Sequence, residues 1–214
     1  MKQLLSYIIP SKKTITSKYS GTLEIVWCNG KKHLNSKNAI YSYGALQRIL
    51  KFGIEKINLN RVNSVLVLGM GGGSVIKTLR NDFKFTKSIE AVEIDSVIID
   101  IATTEFGVSQ NDLLNIHCQD AFHFVKNNIK KFDLVIVDIY IDLSVPDQFL
   151  SVEFWKNVLS CKSLKGSIIF NASVQNTKIN KVKAVIEFLK TKVFTVDVYP
   201  NVNGTNTIII ARGL

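Results

Sequence analysis

A cluster of glycines at the end of an apolar run is the first feature of this sequence that could serve chemistry. The run VLVL at 65–68 is followed directly by the segment GMGGGS. Glycine adopts backbone angles closed to other residues and lets a ligand approach the main chain, so Gly69 and Gly71 are candidate ligand contacts. Gly73 would let the next helix start close to the sheet, with free N–H groups at its first turn. The loop departs from the dinucleotide pattern GxGxxG, because Ser74 stands in place of the third glycine.

Acidic side chains recur where the following apolar stretches end. Glu93 and Asp95 end the second stretch, Asp120 follows the third, and Asp138 ends the fourth. An acid about 20 residues beyond a glycine-rich loop can accept hydrogen bonds from ribose hydroxyls, and we interpret Glu93 in this way. Asp95 and Asp120 are each explained equally well as helix N-caps.

The alternation of strand and helix patterns predicts how these residues are brought together. Beyond Val62, strand patterns alternate with helical ones, which is typical of βαβ units and of a parallel sheet covered on both faces. The last two strand patterns, VFTVDVYP and TNTIIIA, are joined too tightly for a crossover helix and must pair antiparallel. We therefore predict an α/β fold with a Rossmann-like seven-stranded mixed sheet, the last strand antiparallel, and helices on both faces. In such sheets ligands bind at the carboxyl ends of the strands, where the glycines and acids lie.

The first 56 residues are predicted to form a separate unit before a nucleotide-binding domain at 57–214. The segment TLEIVWCNGKKHL predicts a β-hairpin, because Asn29-Gly30 suits a tight turn. A helix is expected from about Tyr41 to Phe52, with Gly53 as its C-cap.

The predicted N-terminal unit carries most of the chain's positive charge. Residues 1–56 hold ten Lys and Arg against two acids, in a chain whose net charge is +10. This surplus is either a surface for an anionic macromolecule or a set of solvated lysine-rich faces. The second interpretation is favoured, because no aromatic-basic signature of nucleic-acid binding accompanies the lysines.

Composition argues against several other classes of protein. The 214 residues are 46% hydrophobic and 21% charged, which is ordinary for a globular protein. No apolar stretch reaches the roughly 18 to 20 residues of a membrane helix, and the start, MKQLLSYIIPSKK, lacks the cleavage site of a signal peptide. Three scattered cysteines indicate a reducing, cytoplasmic setting. The three histidines are isolated and no zinc spacing occurs, so no metal site is expected.

The order of these features resembles the class I S-adenosylmethionine-dependent transferases, and more narrowly the spermidine synthase family with its methyltransferase-like relatives. The matching stretches are VLVLGMGGGSV, AVEIDSVIIDIA, CQDAFHFV and FDLVIVDIYIDLSVPDQFLSVEFWKNV. The resemblance implies S-adenosylmethionine, or its decarboxylated form, as cofactor. The implied contacts are the methionine part with Gly69, Gly71 and Gly73, the ribose with Glu93, and the adenine with Asp120 and Ala121. Asp95 is included among the cofactor contacts, and Asp138 would lie at the reaction centre.

Three departures from the family pattern bear on the reaction. The segment LNSKNAIYSYGALQ contains no acid where aminopropyltransferases carry an acidic pair, and the glycine loop contains no aspartate. Asp138 and Asp142 lie four residues apart, whereas the family's catalytic aspartates lie three apart. These departures favour a methyltransferase of unknown, small-molecule acceptor; the alternatives are a polyamine aminopropyltransferase and a non-catalytic cofactor-binding module. Asp138 is the expected general base, assisted by Tyr140 or Asp142, and an exposed hairpin edge makes a homodimer plausible.

Overall fold

The computed structural model describes residues 6–7, 9–36, 40–42, 44–141, 144–173, 178–192, 195–204 and 206–213, which form two β-sheets and six α-helices. The strands are β1 (Ser11–Ser17), β2 (Gly21–Cys28), β3 (Lys31–Ser36), β4 (Ile40–Ser42), β5 (Ser64–Leu68), β6 (Ser88–Glu93), β7 (Leu114–Cys118), β8 (Phe132–Val137), β9 (Lys162–Ser173), β10 (Thr195–Val202) and β11 (Asn206–Arg212). The helices are α1 (Ala45–Glu55), α2 (Ser74–Lys77), α3 (Ser96–Phe106), α4 (Ala121–Asn127), α5 (Val152–Cys161) and α6 (Ile179–Lys190).

The larger sheet has the predicted composition and polarity. Its strand order is β10-β11-β9-β8-β5-β6-β7. Strands β7, β6, β5, β8 and β9 pair in parallel, whereas β11 pairs antiparallel with both β9 and β10. The prediction of a seven-stranded mixed sheet whose last strand is antiparallel is confirmed.

The central strand β5 separates two hydrophobic cores. Val65 and Val67 pack into one core with α1, α2 and α3, and Leu66 and Leu68 pack into the other with α4, α5 and α6. All four side chains are fully buried. This two-residue alternation explains why a continuous apolar run forms a strand that is covered on both faces.

The chain reverses its direction of travel across the sheet next to β5. From β5 it proceeds through β6 to β7 on one side and then returns to place β8 on the other. The carboxyl ends of β5 and β8 therefore border the switch point at which open α/β sheets bind ligands.

The smaller sheet is antiparallel, in the order β1-β2-β3-β4. The predicted hairpin is confirmed as β2 and β3, joined by Asn29 and Gly30 with φ of 49° and 71°. Leu23, Ile25 and Leu34 on these two strands are buried in the same core as α3. The proposed domain boundary after residue 56 stays a prediction.

The start and end predicted for the first helix are wrong. Residues 40–42 form β4, α1 begins at Ala45, and Gly53 lies inside the helix, which ends at Glu55. A Cβ at Gly53 would lie 2.9 Å from Cγ2 of Ile169, so this glycine allows α1 to approach the sheet closely rather than capping the helix. Helix α2 is short, and it passes into a π-helical turn at Thr78–Asp82.

Candidate functional site at the carboxyl ends of the parallel strands

The glycine loop after β5 is fixed against both neighbouring strands. The N–H groups of Gly69 and Met70 each donate to the Val92 carbonyl oxygen at 3.0 Å. Gly69 has a φ of 88°, and a Cβ there would lie 2.1 Å from the main-chain oxygen of Asp138. Glycine at position 69 is therefore required by both the backbone angle and the close approach of the chain leaving β8.

The rest of the loop leads into α2, and in it Gly71 is partly exposed whereas Gly73 is buried. Gly71 and Gly73 have φ of 53° and 82°, and Gly73 is the N-cap of α2. A Cβ at Gly73 would lie 2.7 Å from Cγ2 of Val108, so the glycine allows the start of α2 to pack closely on that residue. The sequence predicted that Gly73 lets the helix start close to the sheet, whereas its close neighbour here is Val108, in the loop after α3.

Glu93 ends β6 with its carboxylate turned toward the glycine loop. Its Oε2 accepts a hydrogen bond from the Gly71 N–H at 2.9 Å, and its Oε1 accepts one from the Asp95 N–H at 3.1 Å. The residue is 8% exposed. Burial raises the pKa of Glu93 to about 7, although the hydrogen bonds from the main chain oppose the shift. A carboxylate held by main-chain donors beside bare glycine backbone suits recognition of a hydroxylated ligand.

Asp138 follows β8 on the opposite side of the loop. Its N–H donates to the Leu68 carbonyl oxygen at 2.8 Å, which ties the residue to the end of β5. Its Oδ1 accepts a hydrogen bond from Nδ2 of Asn171 at 2.8 Å. Burial raises the pKa of Asp138 to about 6, and the Asn171 hydrogen bond opposes this shift. The pKa of the Asp138 carboxyl therefore lies near neutrality, which suits proton transfer.

Tyr140 is held by two asparagines. Its hydroxyl donates to the main-chain oxygen of Asn171 at 2.9 Å and accepts from Nδ2 of Asn206 at 3.2 Å. The same Asn206 nitrogen lies 2.9 Å from Oδ1 of Asn171. Burial is the main cause that raises the pKa of Tyr140 well above its ordinary value, so the phenol stays protonated.

Asn171 and Asn206 were missed by the sequence reasoning. Asn171 is fully buried in β9 and follows the apolar run IIF. A lone amide at the carboxyl end of a buried parallel strand needs hydrogen-bond partners, and that pattern would have identified it as a candidate. Asn206 begins β11 and becomes relevant through pairing with β9, which a local pattern does not reveal.

Asp95 is engaged by contacts within the protein. As the N-cap of α3, it accepts the Val97 N–H at Oδ1 with a distance of 3.0 Å. Its Oδ2 accepts the hydroxyl of Ser17, the last residue of β1, and at 2.7 Å that of Ser20, in the turn between β1 and β2. The carboxylate is 1% exposed. Asp95 is thus the N-cap of α3 and links the smaller sheet to the end of β6, and its predicted cofactor contact stays a prediction.

Asp120 also caps a helix, but it stays partly exposed. Its Oδ1 accepts the N–H groups of Phe122 and His123 at 2.8 and 3.1 Å, and its Oδ2 accepts Nε2 of Gln148 at 3.2 Å. Ala121 next to it is 7% exposed. The Gln148 contact was not anticipated from the sequence. The predicted adenine contacts of Asp120 and Ala121 stay predictions.

The family model described as spermine/spermidine synthase domain matches residues 47–206. The chain belongs to the spermine/spermidine synthase domain family. The match begins within α1 and ends at the first residue of β11, so it contains the glycine loop, Glu93, Asp138 and both asparagines.

Relatives within and around this family carry different activities in their names. A polyamine aminopropyltransferase from Alkaliphilus metalliredigens is 24% identical over 156 residues, which are 65% of this chain and 54% of that protein. An eEF1A lysine and N-terminal methyltransferase from Danio rerio is 26% identical over 149 residues, 62% of this chain and 21% of that protein. The chain thus matches about half the length of the first relative and a fifth of the second.

A solved structure extends the likeness to the whole fold. The structure of a probable spermidine synthase from Corynebacterium glutamicum has a TM-score of 0.69 and is 15% identical, covering 96% of this chain and 77% of that one. The coverage of 96% indicates that the fold likeness is not confined to the residues of the family match.

Three remaining predictions concern Asp142, membrane helices and the basic segment at residues 1–56. Asp142 lies outside the described residues. Among the helices that are described, none is long and apolar enough to span a membrane.

Several lysines of the basic segment are paired with acids: Lys12 with Glu24, and both Lys13 and Lys32 with Glu105, at 2.7 to 3.0 Å. Binding of an anionic macromolecule by this segment, and a homodimer, stay predictions.

Proposed function

We propose that this chain is an S-adenosylmethionine-dependent methyltransferase with Asp138 as its general base. The observation that carries the proposal is the placement of the Asp138 carboxyl at the switch point. Asp138 follows β8 directly, its main chain packs against Gly69, and one oxygen of its carboxyl is held by Asn171. This is the place where a base must lie to serve a ligand bound over the glycine loop.

The residues around the loop fit the expected cofactor. Glu93 offers a carboxylate for the ribose hydroxyls, and Gly69 and Gly71, which are partly exposed and carry no side chain, would contact the methionine part. Gly73, the third predicted contact of the methionine part, is buried. Asp120 and Ala121 would contact the adenine. When bound, S-adenosylmethionine supplies a carbon on a positive sulfur, which the acceptor attacks. The protein's tasks are then to orient the acceptor, exclude water and remove a proton.

Asp138 is suited to accept that proton. With a pKa of about 6, the carboxyl is mostly ionised at neutral pH and lies close enough to neutrality to accept a proton efficiently. Tyr140 stays protonated and can orient groups near Asp138, but it does not serve as the base in this proposal.

Methyl transfer is favoured over aminopropyl transfer by the sequence departures at the acceptor side. A diamine acceptor is a dication and calls for several carboxylates, yet the segment before α1 lacks the acidic pair and the glycine loop lacks an aspartate. Aminopropyl transfer remains the second candidate, because the family description and the first relative name it. The names of the methyltransferase relatives suggest an amine of a protein as acceptor, beside the small molecule predicted from sequence.

A ligand panel separates these functions. Isothermal titration would compare S-adenosylmethionine, its decarboxylated form and methylthioadenosine, with Glu93→Ala as the binding-defective variant and Asp112→Asn, at an exposed turn, as control. We expect S-adenosylmethionine to bind wild type and the control equally and Glu93→Ala weakly or not at all.

The transfer reaction would be measured with the same two cofactors. Labelled S-adenosylmethionine would be offered with a lysine-containing peptide, and the decarboxylated form with putrescine. Clear preference for the decarboxylated form, with transfer to putrescine, would replace methyl transfer by aminopropyl transfer. A protein that binds none of the three nucleosides is not a transferase of this kind.

A further inference from the structure

A directed set of hydrogen bonds connects β11 to the proposed base. Nδ2 of Asn206 donates to Oδ1 of Asn171 at 2.9 Å, and Nδ2 of Asn171 donates to Oδ1 of Asp138 at 2.8 Å. The side chain of Asn171 between them is fully buried, with 0% exposure. A polar chain of this length inside a sheet is costly unless each group has a partner of the right kind.

The polarity of this chain follows from chemistry. An ionised Asp138 accepts hydrogen bonds and donates none, so the NH₂ group of Asn171 must face it. The carbonyl oxygen of the same amide then faces away and needs a donor. Asn206 supplies that donor. An amide rotated by 180° would instead place its oxygen against the carboxylate, where two acceptors repel each other.

Tyr140 fixes Asn206 in turn. Its hydroxyl donates to the main-chain oxygen of Asn171 at 2.9 Å, so its lone pairs are available to Asn206, whose Nδ2 lies 3.2 Å away. The Asn206 amide thus has two acceptors on its nitrogen side, which defines its orientation as well.

We propose that Asn206 is a positioning residue, which fixes the amide orientation of Asn171 and thereby holds the Asp138 carboxylate with one oxygen bound and the other directed to the acceptor. The inference rests on the proposed function, because it assigns Asp138 as the base. Within the described part of the chain, Asn171 donates the side-chain hydrogen bond that Asp138 accepts, and the charge of Asp138 contributes to the raised pKa of Tyr140. Loss of the Asn171 hydrogen bond therefore acts directly on the base.

The test uses Asn206→Leu, which keeps a similar volume without a donor, and Thr207→Val on the same strand as the matched control. Aspartate labelled with ¹³C at the side-chain carboxyl would report the titration of Asp138, assigned by the signal that Asp138→Asn removes. We expect the Asp138 pKa to be higher in Asn206→Leu than in wild type and unchanged in Thr207→Val. Asn206→Ala, which adds no charge near Asp138, serves as a second variant if Asn206→Leu does not fold, and the same upward direction is expected.

Enzyme kinetics give the second readout, measured with whichever cofactor and acceptor pair proves active in the transfer assay proposed above. We expect kcat of Asn206→Leu to fall about tenfold, and the acid limb of its plot of kcat against pH to lie at higher pH than in wild type. The Kd for S-adenosylmethionine should stay within about twofold of wild type. A folded Asn206→Leu with wild-type Asp138 titration and kcat would overturn the positioning role. If the wild type transfers nothing, the proposed function fails, and the carboxyl titration alone decides the inference.

Discussion

The carboxylate of Glu93 accepts the N–H of Gly71 at 2.9 Å, so the acid that ends β6 and the glycine loop that follows β5 form one unit. The same carboxylate accepts the N–H of Asp95 at the start of α3. A buried acid therefore organises three segments at the switch point. Because Glu93 is buried, its charged form is poorly solvated, and this raises the pKa of Glu93 to about 7.

The first prediction concerns stability against pH in the absence of ligand. Because the folded pKa of Glu93 lies above its ordinary value of 4.5, the folded state binds the proton more tightly than the unfolded state between these values. Stability is then highest at the acid side and falls as pH rises through this window, by up to about 1.4 kcal/mol per pH unit. Urea unfolding of wild type and Glu93→Gln from pH 5 to 8 measures it, and Glu93→Gln should show a flatter profile.

Asp138 contributes a slope of the same sign at lower pH, because its pKa is raised to about 6 from 3.8. Asp138→Asn is therefore the variant to compare with Glu93→Gln. It should flatten the dependence of the free energy of unfolding on pH below pH 6 but not near pH 7. A wild type whose stability rises between pH 5 and 7 would contradict the assigned burial of Glu93.

The second prediction concerns Asp138 in turnover. A general base contributes about 100-fold or more, so Asp138→Asn should lower kcat by at least that factor. Cofactor affinity should stay within about twofold, because the cofactor contacts are assigned to other residues. The kcat of wild type should rise with pH through about 6, as the carboxyl ionises. An Asp138→Asn variant with wild-type kcat rules out this residue as the base.

The third prediction concerns the link between the two sheets. Ser17 is 5% exposed and donates its hydroxyl to Asp95, which is itself buried. Ser17→Ala leaves a buried carboxylate with one donor fewer and should lower the free energy of unfolding by about 1 to 3 kcal/mol. Chemical denaturation measures it, with Thr14→Ala on the exposed face of β1 as control. Equal stability of the two variants would mean that the contact is not maintained in solution.

The fourth prediction compares two glycines that both have positive φ. Gly69 and Gly107 have φ of 88° and 64°, but a Cβ at Gly107 meets nothing within 4 Å, whereas one at Gly69 would overlap the main chain of Asp138. Gly107→Ala should cost about 1 to 2 kcal/mol for backbone strain alone. Gly69→Ala should cost clearly more and also weaken S-adenosylmethionine binding, as thermal unfolding and titration would show. Equal losses in the two variants would argue against the close approach of β8.

The parts of the fold that depend on local periodicity could be predicted from the sequence. The continuous apolar run from Val65 to Leu68 identified β5, and the tight connection before β11 identified its antiparallel direction. The start of α1 could not be placed, because pairing of residues 40–42 with β3 overrides their helical pattern. The interior position of Gly53 depends on Ile169, more than a hundred residues away, so a local rule for glycine caps failed there.

The candidate site was predicted as far as strand ends determine it. Glu93 and Asp138 lie at the carboxyl ends of parallel strands, and these ends meet at the same edge of the sheet. The alternative roles of Asp95 and Asp120 could be stated but not resolved, because Ser17 and Gln148 reach them from distant segments. Asn206 follows from strand pairing alone, and no spacing rule connects it to Asp138.

The contact between Gly69 and the main chain at Asp138 has a consequence for redesign. A segment exchange that imports the β8 end of an aminopropyltransferase relative would also have to preserve the main-chain path at position 138, or the glycine loop would no longer fit against it. If the proposed transfer reaction holds, its acceptor side is therefore better altered by single side-chain replacements than by transplanting the whole loop.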